Sequence, residues 1–258
     1  MVRTIPIRPG QSGRELDRRI AALALPALGS IAAEPAYSLA DTAIVGHLGR
    51  TPLGAVAIAS TALTMTAWLA IFLTTATTSA VAGLAAARSW DRAGRSIGAA
   101  YLVAAGGGLA VAALVAVAAP WVTALLGANG AVLSGSVGYL RASAVGIPFL
   151  YLSYAGNGHL VGLANVHTPL RIAVSANVLN VLLEVLLVYG AHLGLLGSAW
   201  GTVIAQAAAA AWHAAASRRA AVRPGPLARR PRRPARTPLA GPVHPVRPAV
   251  TTTRPLPP

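Results

Sequence analysis

The stretch IAAEPAYSLADTAIVGHLG, residues 31–49, decides the fold: it is apolar enough to enter a bilayer, yet it keeps a glutamate, a proline, a tyrosine and an aspartate. A carboxylate near the bilayer centre costs ~2.5–3.5 kcal/mol on insertion scales, so its retention normally marks an ion or proton pathway. Glu34 and Asp41 are two helical turns apart and lie within ~20° on one face, with Tyr37 between them on the same stripe. Pro35 removes a backbone donor and disfavours the helical conformation of Glu34, and Pro26 acts in the same way earlier. A bent helix with freed carbonyls near the carboxylates is expected.

The rest of the chain places this stretch in a membrane protein. Of 258 residues, 55% are hydrophobic and only 10% charged, against roughly 25% charged in soluble domains. Uncharged runs cover residues 96–119, 142–170 and 185–217, each long enough for the ~20 residues that cross the hydrocarbon core. Six transmembrane helices are read, at about 20–45, 52–78, 96–119, 138–162, 170–190 and 195–216. Residues 51–87 hold 37 uncharged positions without a turn signal, which is short of the ~40 plus a turn that two spans need, so one long helix is expected there. The fold class is therefore all-α, a polytopic six-helix bundle.

Arginine placement orients it, because basic residues are enriched in cytoplasmic loops. With the N-terminus inside, 19 of the 21 arginines fall on the cytoplasmic side, and only Arg50 and Arg141 face out. Three parts result: a cytoplasmic leader at 1–17, the membrane lobe at 18–217, and an arginine- and proline-rich tail at 218–258, expected to be disordered and cytoplasmic. The net charge of +15 sits mostly in these flanks, with no aromatic interleaving, and no nucleic-acid partner is expected. A bacterial plasma membrane location, multi-pass with both termini cytoplasmic, follows from this reading.

Other spans carry polar stripes as well. In SANVLNVLLEVLLVYG, Asn177, Asn180 and Glu184 stand at i, i+3 and i+7, a polar face on an otherwise Val- and Leu-rich helix, which points at other helices rather than lipid. Thr202 and Gln206 in the sixth span, and Ser153 and Asn157 in the fourth, offer further oxygens. Carboxylates, amide carbonyls and hydroxyls suit hard cations such as Na⁺, and carboxylates also take H⁺; composition does not separate the two ions. No cysteine is present, the six histidines show no paired metal spacing, and Gly106, Gly107 and Gly108 precede no lysine and read as a helix-packing run. No metal is expected beyond Na⁺ at such a cation site, no cofactor beyond the coupling ion, and no enzyme.

The segments ALPALGSIAAEPAYSLADTAIVGHLGRTPLGAVAIAS and GIPFLYLSYAGNGHLVGLANVHTPLRIAVSANVLNVLLEVLLVYGAHLGLLGSAWGTVIAQ resemble multidrug and toxic compound extrusion (MATE) transporters, in the DNA-damage-inducible protein F-like branch, over about residues 15–215. The resemblance implies cation-coupled export of lipophilic or cationic compounds by alternating access between two six-helix lobes. It implies an ion site of Asp41, Asn180, Glu184 and Thr202, with Tyr37, Tyr139 and Asn157 as neighbouring polar positions; Glu34 is a further candidate from the stripe on the first span alone. Glu184 stands where relatives usually have aspartate, one methylene shorter. The family carries about twelve helices, so the resemblance also implies that the second lobe is missing here and that a separately encoded lobe or a second copy is a partner, beside a small-molecule substrate and membrane lipid. A non-transporting membrane remnant or scaffold is the alternative.

Overall fold

The computed structural model describes residues 38–222, helical throughout and joined by short turns, with no strand among them. The end of the first span is α1, residues 38–46. It is followed by α2 (Arg50–Ala86), α3 (Trp90–Leu125), α4 (Gly130–Ala144), α5 (Ile147–Gly162), α6 (His167–Val185) with a π-helical turn over Leu186–Gly190, and α7 (Leu195–Val222). The leader, Glu34, Tyr37 and the tail beyond residue 222 lie outside the described residues. Arg218 and Arg219, expected at the start of the tail, are carried on α7.

Among the described residues the six-span bundle is borne out, with α1 as the end of the first span, α4 and α5 together forming the fourth and α6 with its π turn the fifth. As expected, α2 is one helix of 37 residues, about 55 Å at 1.5 Å per residue, so its ends project beyond the ~30 Å hydrocarbon core. The fourth span corrects the sequence reading: it begins at Gly130 and breaks at Val145–Gly146 rather than running unbroken from 138 to 162. Pro148 is the reason, since proline lacks the N–H that would bond the Ala144 carbonyl, while its fixed φ suits the first turn of a new helix.

In a bilayer, helices associate by close packing of small residues and by interhelical hydrogen bonds. The α2–α5 seam shows both. Thr74 Oγ1 donates to the Tyr154 carbonyl at 2.9 Å and Thr78 Oγ1 to the Gly158 carbonyl at 3.2 Å, one turn apart on each helix. The backbones come so near that a Cβ on Gly158 would stand 2.6 Å from the Thr74 carbonyl oxygen, and one on Gly162 would stand 2.9 Å from Val81 Cβ. Of the glycine run in α3 only Gly108 is used in this way, against Pro148; Gly106 and Gly107 face open space. Large apolar side chains such as Phe72, Leu102, Leu114 and Trp121 point outward, as a lipid-facing surface requires.

Helix order puts Arg88, Arg92, Arg95, Arg171, Arg218 and Arg219 at one end and Arg50 at the other. Arg141 sits inward of that second end, where its Nε donates to the Ala116 carbonyl at 3.2 Å. Pro120, four residues on within α3, has no N–H to give that carbonyl, so Arg141 supplies the missing donor. Removing it with Arg141→Ala is expected to cost about 1 kcal/mol. In a Pro120→Ala background the backbone satisfies the carbonyl and the same substitution is expected to cost less, a non-additivity readable in a thermal-unfolding double-mutant cycle.

Candidate functional site

Three elements meet at the arginine-poor end of the bundle. The first, α6, presents Asn180 and Glu184 one turn apart, and both are buried; Glu184 is 0% exposed. The second, α7, lies directly against it: a Cβ on Gly201 would stand 3.2 Å from the Glu184 amide nitrogen, and one on Gly197 2.8 Å from the Leu187 carbonyl carbon. These two glycines, four residues apart, let the backbones touch where the π turn begins. The third, α1, is fastened by Tyr189 of the π turn, whose hydroxyl donates to the Ile44 carbonyl at 2.7 Å. Val45 is wholly buried in a cluster with Val56, Ala59, Tyr139, Leu140 and Ala199.

This docking carries Asp41 into the α6–α7 seam. Ser198 Oγ donates to Asp41 Oδ1 at 3.2 Å, Asn180 Nδ2 donates to Thr202 Oγ1 at 3.1 Å, and Thr202 Oγ1 donates to the Ser198 carbonyl at 3.2 Å. The Glu184 carboxyl has the Asp41 carboxyl and Ser198 as its neighbours. Even so, no donor among the described residues is aligned on either of its oxygens. A buried carboxyl without a partner is costly as an anion. The arrangement offers two ways to satisfy it: one proton, or one cation held between the two carboxylates with hydroxyl and amide oxygens around it.

Asp41, Asn180, Glu184 and Thr202 are thus brought together, and Tyr139 is buried against Val45 and Ala199 beside them. Asn157 is not brought there. Its neighbour Gly156 packs on His213, eleven residues beyond Thr202 on α7, which places it about 16 Å farther along the helix. Ser153, another expected oxygen, has its Oγ buried with no partner among the described residues, and Gln206 lies at the α4–α5 break against Gly146. Two members were missed in the sequence. Ser198 precedes Thr202 by four residues and so shares its face, a pattern that was open to reading; Tyr189 carried no comparable signal.

The sequence profile of the MatE family matches residues 26–186, more than half of the chain and both helices that supply the carboxylates. The chain belongs to the MatE family. This MatE chain is 32% identical over 191 residues to DNA damage-inducible protein F of Escherichia coli, covering 74% of the chain and 42% of that protein. To Protein DETOXIFICATION 44, chloroplastic, of Arabidopsis thaliana it is 29% identical over 211 residues, covering 77% and 40%. Its fold matches that of a MOP superfamily transporter from Pyrococcus furiosus with a TM-score of 0.69 at 24% identity, over 76% of this chain and 43% of that one. The outward-facing conformation of a multidrug resistance MATE family transporter matches with a TM-score of 0.68 at 24% identity, over the same shares. The chain therefore spans under half the length of these relatives, and it is an integral membrane protein by family and by its apolar helices.

Proposed function

We propose that this MatE chain is one six-helix lobe of a cation-coupled antiporter that exports drugs or other lipophilic or cationic compounds. In this reading Asp41 and Glu184 take up H⁺ or Na⁺, and Asn180, Ser198 and Thr202 position them. The observation that carries it is the Glu184 carboxyl, wholly buried, without a hydrogen-bond partner among the described residues, and set beside a second carboxylate. A scaffold gains nothing from such a group, whereas an exporter needs a group whose occupancy changes during its cycle. Coupling follows if the ion-filled and ion-free states differ in their affinity for cargo, because binding of the two ligands is then linked. The names of the relatives, DETOXIFICATION and multidrug resistance, support the cargo class.

The partner in this reading is a second lobe, either separately encoded or a second copy. The test is to co-express the chain with the remaining half of a full-length relative and to measure efflux of a lipophilic cation from vesicles under an imposed pH or Na⁺ gradient. Efflux driven by one gradient supports the reading and names the ion. No efflux under either gradient, with both halves present and folded, favours the scaffold alternative.

In this reading the chain sits in a bacterial plasma membrane, and the arginine distribution supports an orientation with both termini in the cytoplasm. A reporter fused after Arg219 is expected on the cytoplasmic side and one fused at Gly49 on the periplasmic side. The reverse pattern would overturn the orientation.

A further inference from the structure

A second feature lies away from the carboxylates and does not depend on the transport reading. Both α3 and α7 pack on α5 but barely touch each other, which leaves a groove of about 640 Å³ floored by Phe149 and Leu152 of α5. That volume falls within the ~300–1,000 Å³ of ordinary ligand sites. Its walls are small or apolar, with Gly98 on α3 and Ala210 and Ala214 on α7, and its polar atoms gather at one end. There the Tyr101 hydroxyl donates to Ser217 Oγ at 3.2 Å, and Arg218 stands exposed beside them.

Counting ~100° per residue, the groove residues of α7 point roughly 140° away from Ser198 and Thr202, and Ser217 lies about 22 Å beyond Thr202 along the axis. The groove is therefore a separate place from the carboxylate site. Its mouth opens at the end of the bundle that holds Arg88, Arg92, Arg95, Arg171, Arg218 and Arg219, with Asp91 as the one carboxylate at that end among the described residues. Behind the Tyr101–Ser217 pair stand His159 and His213, 1% and 6% exposed, the first against the Ser217 backbone and the second, like the Tyr101 hydroxyl, against Gly156.

From the apolar trough, the hydroxyl pair and the Arg218 guanidinium beside it, at the arginine-rich end of the bundle, we infer that the α3–α7 groove is a binding site for an anionic phospholipid. One acyl chain lies along Gly98, Ala210 and Ala214. The phosphate meets Arg218, and the glycerol and ester oxygens meet Tyr101 and Ser217. A bare phosphate would leave the apolar floor unfilled, and a neutral lipid would offer no charge to Arg218.

The experiment uses the full chain in mild detergent, titrated with phosphatidylglycerol, with phosphatidylcholine of the same acyl chains, and with inorganic phosphate, and followed by native mass spectrometry. One phosphatidylglycerol is expected to be retained ahead of the other two ligands. Arg218→Gln is expected to weaken it about fivefold, in line with ~1 kcal/mol per basic residue at an anionic surface. Ala214→Phe fills the trough and is expected to abolish retention. A phosphatidylglycerol carrying a photoreactive acyl chain guards against misfolding of that variant, because in the unmodified protein it is expected to label peptides containing Gly98 or Ala210. Equal retention of the two lipids, retention undiminished by Arg218→Gln, or labelling confined to other helices would overturn the assignment, as would displacement of the lipid when a second lobe is supplied.

Discussion

Asp41→Asn and Glu184→Gln are each expected to remove ion-driven efflux, lowering gradient-dependent transport by the full coupling factor, about 5–150-fold for couplings of the usual size. In the proposed reading, either change removes one carboxylate from the pair that would hold the ion. The lobe itself is expected to survive them, because asparagine at 41 keeps an oxygen that can accept from Ser198 Oγ, and the amide at 184 replaces a buried carboxyl on which no hydrogen bond closes among the described residues. Glu184→Met sharpens the contrast. Replacing a buried unpaired polar group by an apolar one of similar size is neutral or stabilising, so this variant is expected to unfold at the same or a higher temperature while losing transport. The isolated chain gives a second readout, since carbodiimides modify protonated carboxyls in apolar surroundings. Modification is expected at Glu184, to be absent in Glu184→Gln, and to fall on adding Na⁺ if Na⁺ is the ion. Efflux and modification that both persist unchanged in the neutral variants would make the two acids structural.

Gly158→Leu is expected to produce the largest loss of stability of any single change in the α2–α5 seam. Even a Cβ would stand 2.6 Å from the Thr74 carbonyl oxygen and 3.0 Å from Thr77 Cβ, and the first of these is backbone that cannot swing aside. Overpacking of this kind costs typically 1–3 kcal/mol. Pushing the helices apart also breaks the bonds from Thr74 and Thr78, each worth ~0.6 kcal/mol within a membrane. Together these give about 2–4 kcal/mol for leucine, and less for Gly158→Ala. Gly106→Ala and Gly107→Ala are the controls: both positions face open space within a helix, so alanine is expected to add stability by about 0.5–1 kcal/mol. Thermal unfolding in detergent reads all four. Equal destabilisation at positions 106 and 158 would mean that contact geometry does not explain the seam.

The division between chain and fold follows the same physics. Hydropathy and arginine placement are one-dimensional properties, so the six spans and the unequal charge of the two ends were legible from composition along the chain. Helical periodicity made the stripe on the fifth span legible too, since Asn180 and Glu184 must share a face whatever they pack against. Periodicity fixes direction around one helix; it does not say which neighbour that face meets or how deep two helices sit relative to each other. For that reason Asn157, a polar residue on an inner helix like the others, ends about three turns away from Thr202. Ser198 joins Asp41 because Gly197 and Gly201 allow α7 to lie against the backbone of α6 and its π turn. Backbone approach at glycines and the break before Pro148 set the axial offsets between helices. Those offsets, which only the tertiary structure decides, determine which polar residues meet at the carboxylates and which are left to line the groove at the far end.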